Sequence, residues 1–245
     1  MITEAARRSV RSMIELIPCP HDACFTRLEF ELSPRPKRSF HTVLDAAKLL
    51  DPSDGRRSEV RLTRRDDGVV LETFHPIRGG AIAETYVASV TPRGLRSRSL
   101  VRRMLEGERE IRREEVDFES RLLDLPESTY PEVLMPFLLN ALPFDGRKRS
   151  LHSWINDRFV ARTYFEVAGR STLEVGGLRV DAFEAILYPD LNDWVSLGAM
   201  ATKIAKPLLP KYRMWYAVEA PHTLLRFEGP YGPPGAPEVV LTRAL

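Results

Sequence analysis

From Arg57 onward the chain is cut into short runs by turn signals, and this punctuation constrains the fold more than any other feature. Asp66-Asp67-Gly68, Arg78-Gly79-Gly80 and Thr91-Pro92-Arg93-Gly94 separate runs over residues 58–64, 69–74 and 82–90. Asp-Gly and Gly-Gly supply the positive φ that tight hairpins require, so such runs read as sequential antiparallel strands. The pattern resumes over 150–155, 159–168, 171–175 and 178–188, with turns at Asn156-Asp157, Gly169-Arg170 and Gly176-Gly177. A last hairpin is read between 212–218 and 223–227, broken by Glu219-Ala220-Pro221. A meander of this length has two edges, and closing it into a barrel removes them. The expected fold is mainly β: an antiparallel meander closed or nearly closed into a barrel, with a few capping helices. Two sheets packed as a sandwich, divided near residues 120–145, are the alternative. The chain's 245 residues suffice for one large core, with 57–245 as the barrel-like domain and 1–56 as an N-terminal helix, strand and capping segment.

The helices are read from period 3.6. Thr3 caps a stretch over 3–17 with Val10, Met13, Ile14 and Ile17 on one face, and a second helix is expected over 40–50. Residues 23–32 alternate as a half-buried strand between them. Val133, Leu134, Phe137, Leu138 and Ala141 form the stripe of a helix over 130–142. It is entered through Pro131, kinked by Pro136 and suited to plug one end of the barrel. A further short helix is expected over 194–206.

Several stretches resemble a known family. Trp215-Tyr216 is followed by Pro221-His222, by Leu224-Leu225-Arg226-Phe227-Glu228-Gly229 and by a Pro/Gly-rich turn before Val239-Val240-Leu241. With the stretch from Tyr130-Pro131-Glu132 to Leu142, and with Gly177 to Ala185, this ending resembles the bacterial β-domain family called domain of unknown function 3108. The resemblance covers roughly residues 57–243. It implies a β-fold and assigns no catalytic residues. That family is mostly exported, and this chain departs from it at its N-terminus, where Arg7, Arg8 and Arg11 interrupt any apolar run. Neither a secretory signal nor a membrane span is read there, which leads to the expectation of a cytoplasmic protein.

Charge and motif content exclude several classes. Lys and Arg number 36 against 34 Asp and Glu, a net charge of +2, so nucleic acid is not an expected partner. Residues 95–118 interleave Arg with Glu and read as strands with cross-strand ion pairs, a site for acidic small molecules at Arg98, Arg102 or Arg103 being the alternative. Cys19 and Cys24 are read as free thiols, too few for a structural zinc site, and no metal is expected. No Walker loop, dinucleotide fingerprint, HExxH or nucleophile elbow occurs, and no cofactor is expected.

What remains is an apolar interior and a few polar groups able to face it. Glu72 shares a strand face with Val70 and Phe74, and Glu84 shares one with Ile82 and Tyr86. Glu166 lies on the face of Val160, Arg162 and Tyr164, opposite the apolar face of Phe159, Ala161, Phe165 and Val167. A carboxyl desolvated in an apolar interior gains proton affinity and serves as an acid or base near neutrality. Glu72, Glu84 and Glu166 are therefore the catalytic candidates, with Tyr86, Trp154, Tyr164, Trp215 and Tyr216 as candidate ligand-binding groups. Trp215 and Tyr216 are adjacent, so in a strand they face opposite ways and only one enters a given core. The leading reading is a soluble binding protein for a hydrophobic small molecule. The alternative is a cofactor-independent isomerase or cyclase acting on such a molecule in the same cavity.

Overall fold

The glycine turns close as their chemistry demands. Gly79 and Gly177 hold φ of 76° and 78°, values that cost a residue with a Cβ and cost glycine little. Gly80 is required for a different reason, because a Cβ there would lie 1.8 Å from the Leu105 carbonyl oxygen of the neighbouring strand. The computed structural model describes residues 10–11, 23–35, 50, 57–65, 67–120, 125–156, 159–190, 211–231 and 238–244. Its strands are β1 (Val10–Arg11), β2 (Ala23–Pro34), β3 (Ser58–Arg65), β4 (Gly68–Ile77), β5 (Gly80–Thr91), β6 (Gly94–Glu106) and β7 (Arg109–Asp117). They continue as β8 (Thr129–Pro131), β9 (Arg149–Asn156), β10 (Phe159–Val175), β11 (Leu178–Pro189), β12 (Tyr212–Ala217), β13 (Leu224–Pro230) and β14 (Glu238–Ala244).

All belong to one 14-stranded sheet in the order β1-β9-β10-β11-β12-β13-β14-β2-β3-β4-β5-β6-β7, with β8 paired to β9. The fold is thus mainly β, as expected, and the two meanders are joined edge to edge through β14 and β2 rather than stacked as a sandwich. Residues 23–34 sit in the middle of the sheet, antiparallel to β14 on one side and β3 on the other.

The sheet curls without closing its backbone ladder. Its two ends meet through side chains: Tyr130 donates its hydroxyl to the Leu95 carbonyl at 2.8 Å, and Ser97 donates to the Thr129 carbonyl at 2.7 Å. The Tyr86 hydroxyl lies 2.7 Å from Ser97 Oγ, and Phe118 meets Trp154 edge-on at 5.5 Å. A barrel seam made of hydroxyls and rings replaces the missing strand pairing.

The segment entering from the sheet fills its concave side. A 3-10 turn (Glu132–Leu134), a single α-turn, α1 (Met135–Leu138), and a second 3-10 turn (Leu139–Ala141) follow one another. The helix expected over 130–142 is therefore shorter and broken: Tyr130 and Pro131 belong to β8, and Pro136 occupies the start of α1, where its missing N–H costs nothing. Leu134, Met135, Phe137, Leu138 and Leu139 are all buried. At about 2 kcal/mol per side chain, this plug contributes roughly 10 kcal/mol of gross apolar burial.

The turn expected at Gly169-Arg170 is a bulge inside the single 17-residue strand β10, between Val167 and Gly169, because an extra residue at a glycine bends a strand without ending it. Within the expected N-terminal helix, Val10–Arg11 pairs in parallel with Arg149–Ser150; the rest of 3–17 lies outside the described residues. So do the helices expected over 40–49 and 194–206, Cys19, and the side chains of Cys24 and Phe159.

Candidate functional site

Alternation decides which side chains face the plug. Along β4, Val69, Leu71, Thr73 and His75 are buried while Glu72 and Phe74 are exposed. Register then carries the inner face across the sheet: Leu62 opposite Leu71, Leu71 opposite Tyr86, Tyr86 opposite Leu100 and Leu100 opposite Val116. On the far limb Phe165, Ala185, Leu187, Met214, Tyr216 and Phe227 belong to the same core. The concave face is thus apolar on both limbs of the curl.

The plug does not fill that face completely. Between Phe137 and Asn140 on one side and β2, β3 and β4 on the other lies a small cavity of about 40 Å³. Its apolar lining includes Leu28, Val60, Leu62, Leu71 and Leu224. Thr26 and Pro221 sit at its rim and are exposed, so it opens to solvent there. Arg64 also lines it, and none of its lining residues is acidic. Burial lowers the pKa of the Arg64 guanidinium below the usual arginine value. The plug is held beside this gap by polar locks as well as apolar contacts. Tyr216 donates to the Pro136 carbonyl at 2.7 Å and Asn140 Nδ2 to the Pro221 carbonyl at 3.2 Å. Tyr212 donates to the Glu132 carboxyl.

The three carboxylates selected from sequence are dispersed. Glu72 is on the outer face, because the side of β4 bearing Val70 and Phe74 is the one turned to solvent, and Phe74 is 39% exposed. Glu166 is also outside, hydrogen-bonded to Tyr188, whose hydroxyl is pushed up to about 12 by burial and by that carboxylate. Tyr164 shares this outer face: its hydroxyl donates to Asp190 at 2.6 Å, and the Lys148 ammonium stands 3.6 Å from its ring centroid.

Only Glu84 turns inward, where it is 2% exposed. It belongs to a polar row that register draws across four strands: Thr73, Glu84, Arg102 and Glu114. Arg102 donates Nε to Glu84 at 2.8 Å and Nη1 to Glu114 at 3.2 Å, and Thr73 donates to the other Glu84 oxygen at 3.3 Å. A buried carboxylate is tolerable with such partners and very costly without them. Both Glu84 oxygens are engaged, so the row braces the sheet. The expected ion pairing over 95–118 is present in Arg102 and in Arg98, which meets Glu119 at 2.9 Å. Neither arginine is offered to a ligand.

The aromatic candidates divide as the adjacent pair foretells. Tyr216 is fully buried in the main core, and Trp215 packs on the opposite face in a second small core with Val175, Ala182 and Leu225. Arg213 and Arg226 flank the indole at 5.3 and 5.7 Å. Tyr86 and Trp154 face the interior at the seam.

Sequence reasoning missed three inward-facing groups. Glu132, at the head of the plug, has its carboxyl raised to about 7 by burial, the Tyr212 hydrogen bond opposing this. His75 is buried with Nε2 2.6 Å from the Tyr231 hydroxyl; burial lowers its pKa to about 3, keeping the imidazole neutral. Arg64 occupies an inward position at the end of β3, opposite inward-facing Val69. Alternation with Leu62 was the available signal for Arg64. Alternation with Leu71 and Thr73 likewise marks His75 as inward, whereas no local pattern marks Glu132, whose partner is 80 residues away.

No family model matches the chain, and no curated relative does. Among solved structures, the lipoprotein LppX of Mycobacterium tuberculosis is similar with a TM-score of 0.27 and 10% identity, over 90% of this chain and 85% of that one. A likeness at this level assigns no function. Among the described residues no helix is long and apolar enough to cross a membrane.

Proposed function

We propose that the protein binds a hydrophobic small molecule between the concave face of its sheet and the plug. The observation that carries this reading is the open apolar gap beside Phe137, lined by Leu28, Val60, Leu62, Leu71 and Leu224. A cavity of about 40 Å³ has room for little more than a methylene or a water. A larger guest therefore enters by displacing the plug. The plug is a chain of single turns with no continuous helical ladder, so its displacement breaks the side-chain bonds from Tyr212 and Tyr216 and that of Asn140 to the Pro221 carbonyl and uncovers its apolar residues. Five apolar side chains leave the concave face as apolar ligand surface replaces them, so the transfer terms nearly cancel.

The isomerase or cyclase alternative loses its supporting geometry, since Glu72 and Glu166 face outward and Glu84 is held by Arg102 and Thr73. The test is native mass spectrometry of the purified protein, followed by saturation binding of N-phenyl-1-naphthylamine, whose fluorescence rises in apolar surroundings. A co-purifying apolar mass or saturable one-site binding supports the reading. No bound mass together with no saturable binding overturns it.

A further inference from the structure

We infer that the guest enters the concave face beside Asn140, whose hydrogen bond to the Pro221 carbonyl latches the tail of the plug across the mouth of the gap. This inference rests on the binding reading above and names the entrance to its site.

The plug is held unequally along its length. Its head continues from β8, where Thr129, Tyr130 and Pro131 pair with His152, Ser153 and Trp154 of β9, and Tyr212 bonds the Glu132 carboxyl. Its middle is buried, with Tyr216 on the Pro136 carbonyl at 2.7 Å and Ser153 Oγ on the Met135 sulfur at 3.2 Å. At the tail, Leu139–Ala141, the one side-chain hydrogen bond to the rest of the fold among the described residues is that from Asn140, at 3.2 Å. Asn140 is partly exposed and Pro221 exposed, and both line the gap. A hydrogen bond at the water's edge is readily exchanged for one to solvent, whereas the buried bonds of the head and middle have no such substitute.

The other side of the mouth is fixed. In the turn between β12 and β13, Ala217 N–H donates to the Thr223 carbonyl and His222 N–H to the Glu219 carbonyl, both at 2.9 Å, and Val218 N–H donates to the Asp181 carbonyl at 3.0 Å. His222 holds a φ of 55°, unfavourable for a residue with a Cβ and sustained only where the surroundings impose it. They do so here: its Nδ1 donates to the Ala217 carbonyl at 3.0 Å, and its ring lies 4.8 Å from that of Phe144 and 5.6 Å from that of Phe183. The Pro221 carbonyl is thus presented by a rigid turn, and the tail of the plug is the part that gives way. The seam offers no easier route, since Tyr86, Ser97 and Tyr130, whose hydroxyls close it, are all buried.

The experiment is stopped-flow binding of N-phenyl-1-naphthylamine to the full chain and to Asn140→Ala. The latch is closed in the free protein and open once the guest has displaced the plug, so its removal raises the free state alone. Association is expected to quicken about threefold to tenfold, the range of one ordinary hydrogen bond, and Kd to fall by the same factor with dissociation unchanged. Asn140→Asp, of nearly the same shape with the donor replaced by an acceptor, should behave alike and decides the matter if Asn140→Ala fails to fold. Ser97→Ala, which loosens the seam instead of the mouth, should leave the association rate unchanged. An association rate unaltered at Asn140, or raised as much by Ser97→Ala, overturns the inference and leaves the binding reading intact. Absence of saturable binding by the native protein removes both.

Discussion

Ionising Glu132 should loosen the plug, and the size of the effect follows from its environment. Burial raises the carboxyl from 4.5 to about 7, even though Tyr212 donates a hydrogen bond to it. The folded state thus holds the proton more tightly than the unfolded chain. The stability this contributes is complete below pH 4.5 and is lost as the pH rises through about 7. At about 1.4 kcal/mol for each pH unit between the two values, the loss is at most about 3 kcal/mol. Glu132→Gln keeps an acceptor for Tyr212 and cannot ionise. Urea unfolding of the native protein and of this variant at pH 4.5, 6, 7 and 8.5 isolates the group, because every other titration is common to both. The two should be about equally stable at pH 4.5, with the variant gaining progressively to about 3 kcal/mol at pH 8.5. For a protein of this size that corresponds to about 6 to 12 °C in Tm. A difference that does not change with pH would refute the reasoning.

Other substitutions test the remaining parts. His75 behaves oppositely to Glu132: its pKa falls from 6.5 to about 3, so stability is complete above pH 6.5 and declines by up to about 5 kcal/mol towards pH 3. His75→Gln should flatten that acid limb in the same unfolding series. Ser97→Ala removes the acceptor or donor facing Tyr86 and the donor to the Thr129 carbonyl at the seam, and should cost about 1 to 3 kcal/mol by urea unfolding. Trp215→Ala, which empties the outer core against Val175, Ala182 and Leu225, should cost about 3 to 5 kcal/mol.

The fold was legible because hairpin turns announce themselves locally. Asp67-Gly68, Gly79-Gly80 and Gly176-Gly177 each joined strands that pair in the structure. Gly169-Arg170 reads as a turn and is a bulge, because glycine serves both purposes and only the partner strand distinguishes them. Period two also showed that Trp215 and Tyr216 must part company. It left open which face was inside, and Glu72 was misplaced for that reason: Val70 and Phe74 made an outer face look like an inner one. The row of Thr73, Glu84, Arg102 and Glu114 depends on register across four strands, which no single run encodes. The plug's role was visible in the apolar stripe over 133–141, whereas its breakage into single turns followed from Pro136 and from docking in a concave sheet. A lone arginine at a strand end reads as a solvated one, and only its register opposite Val69 shows that Arg64 turns inward.

Hydrogen–deuterium exchange of residues 132–141, with and without saturating cis-parinaric acid, tests the central claim most directly. If a hydrophobic guest takes the plug's place on the concave face, the amides of this segment should exchange faster when the guest is bound, while those of β4, β5 and β12 are protected or unchanged. Unchanged or slower exchange of the segment, with the guest demonstrably bound, would contradict the account.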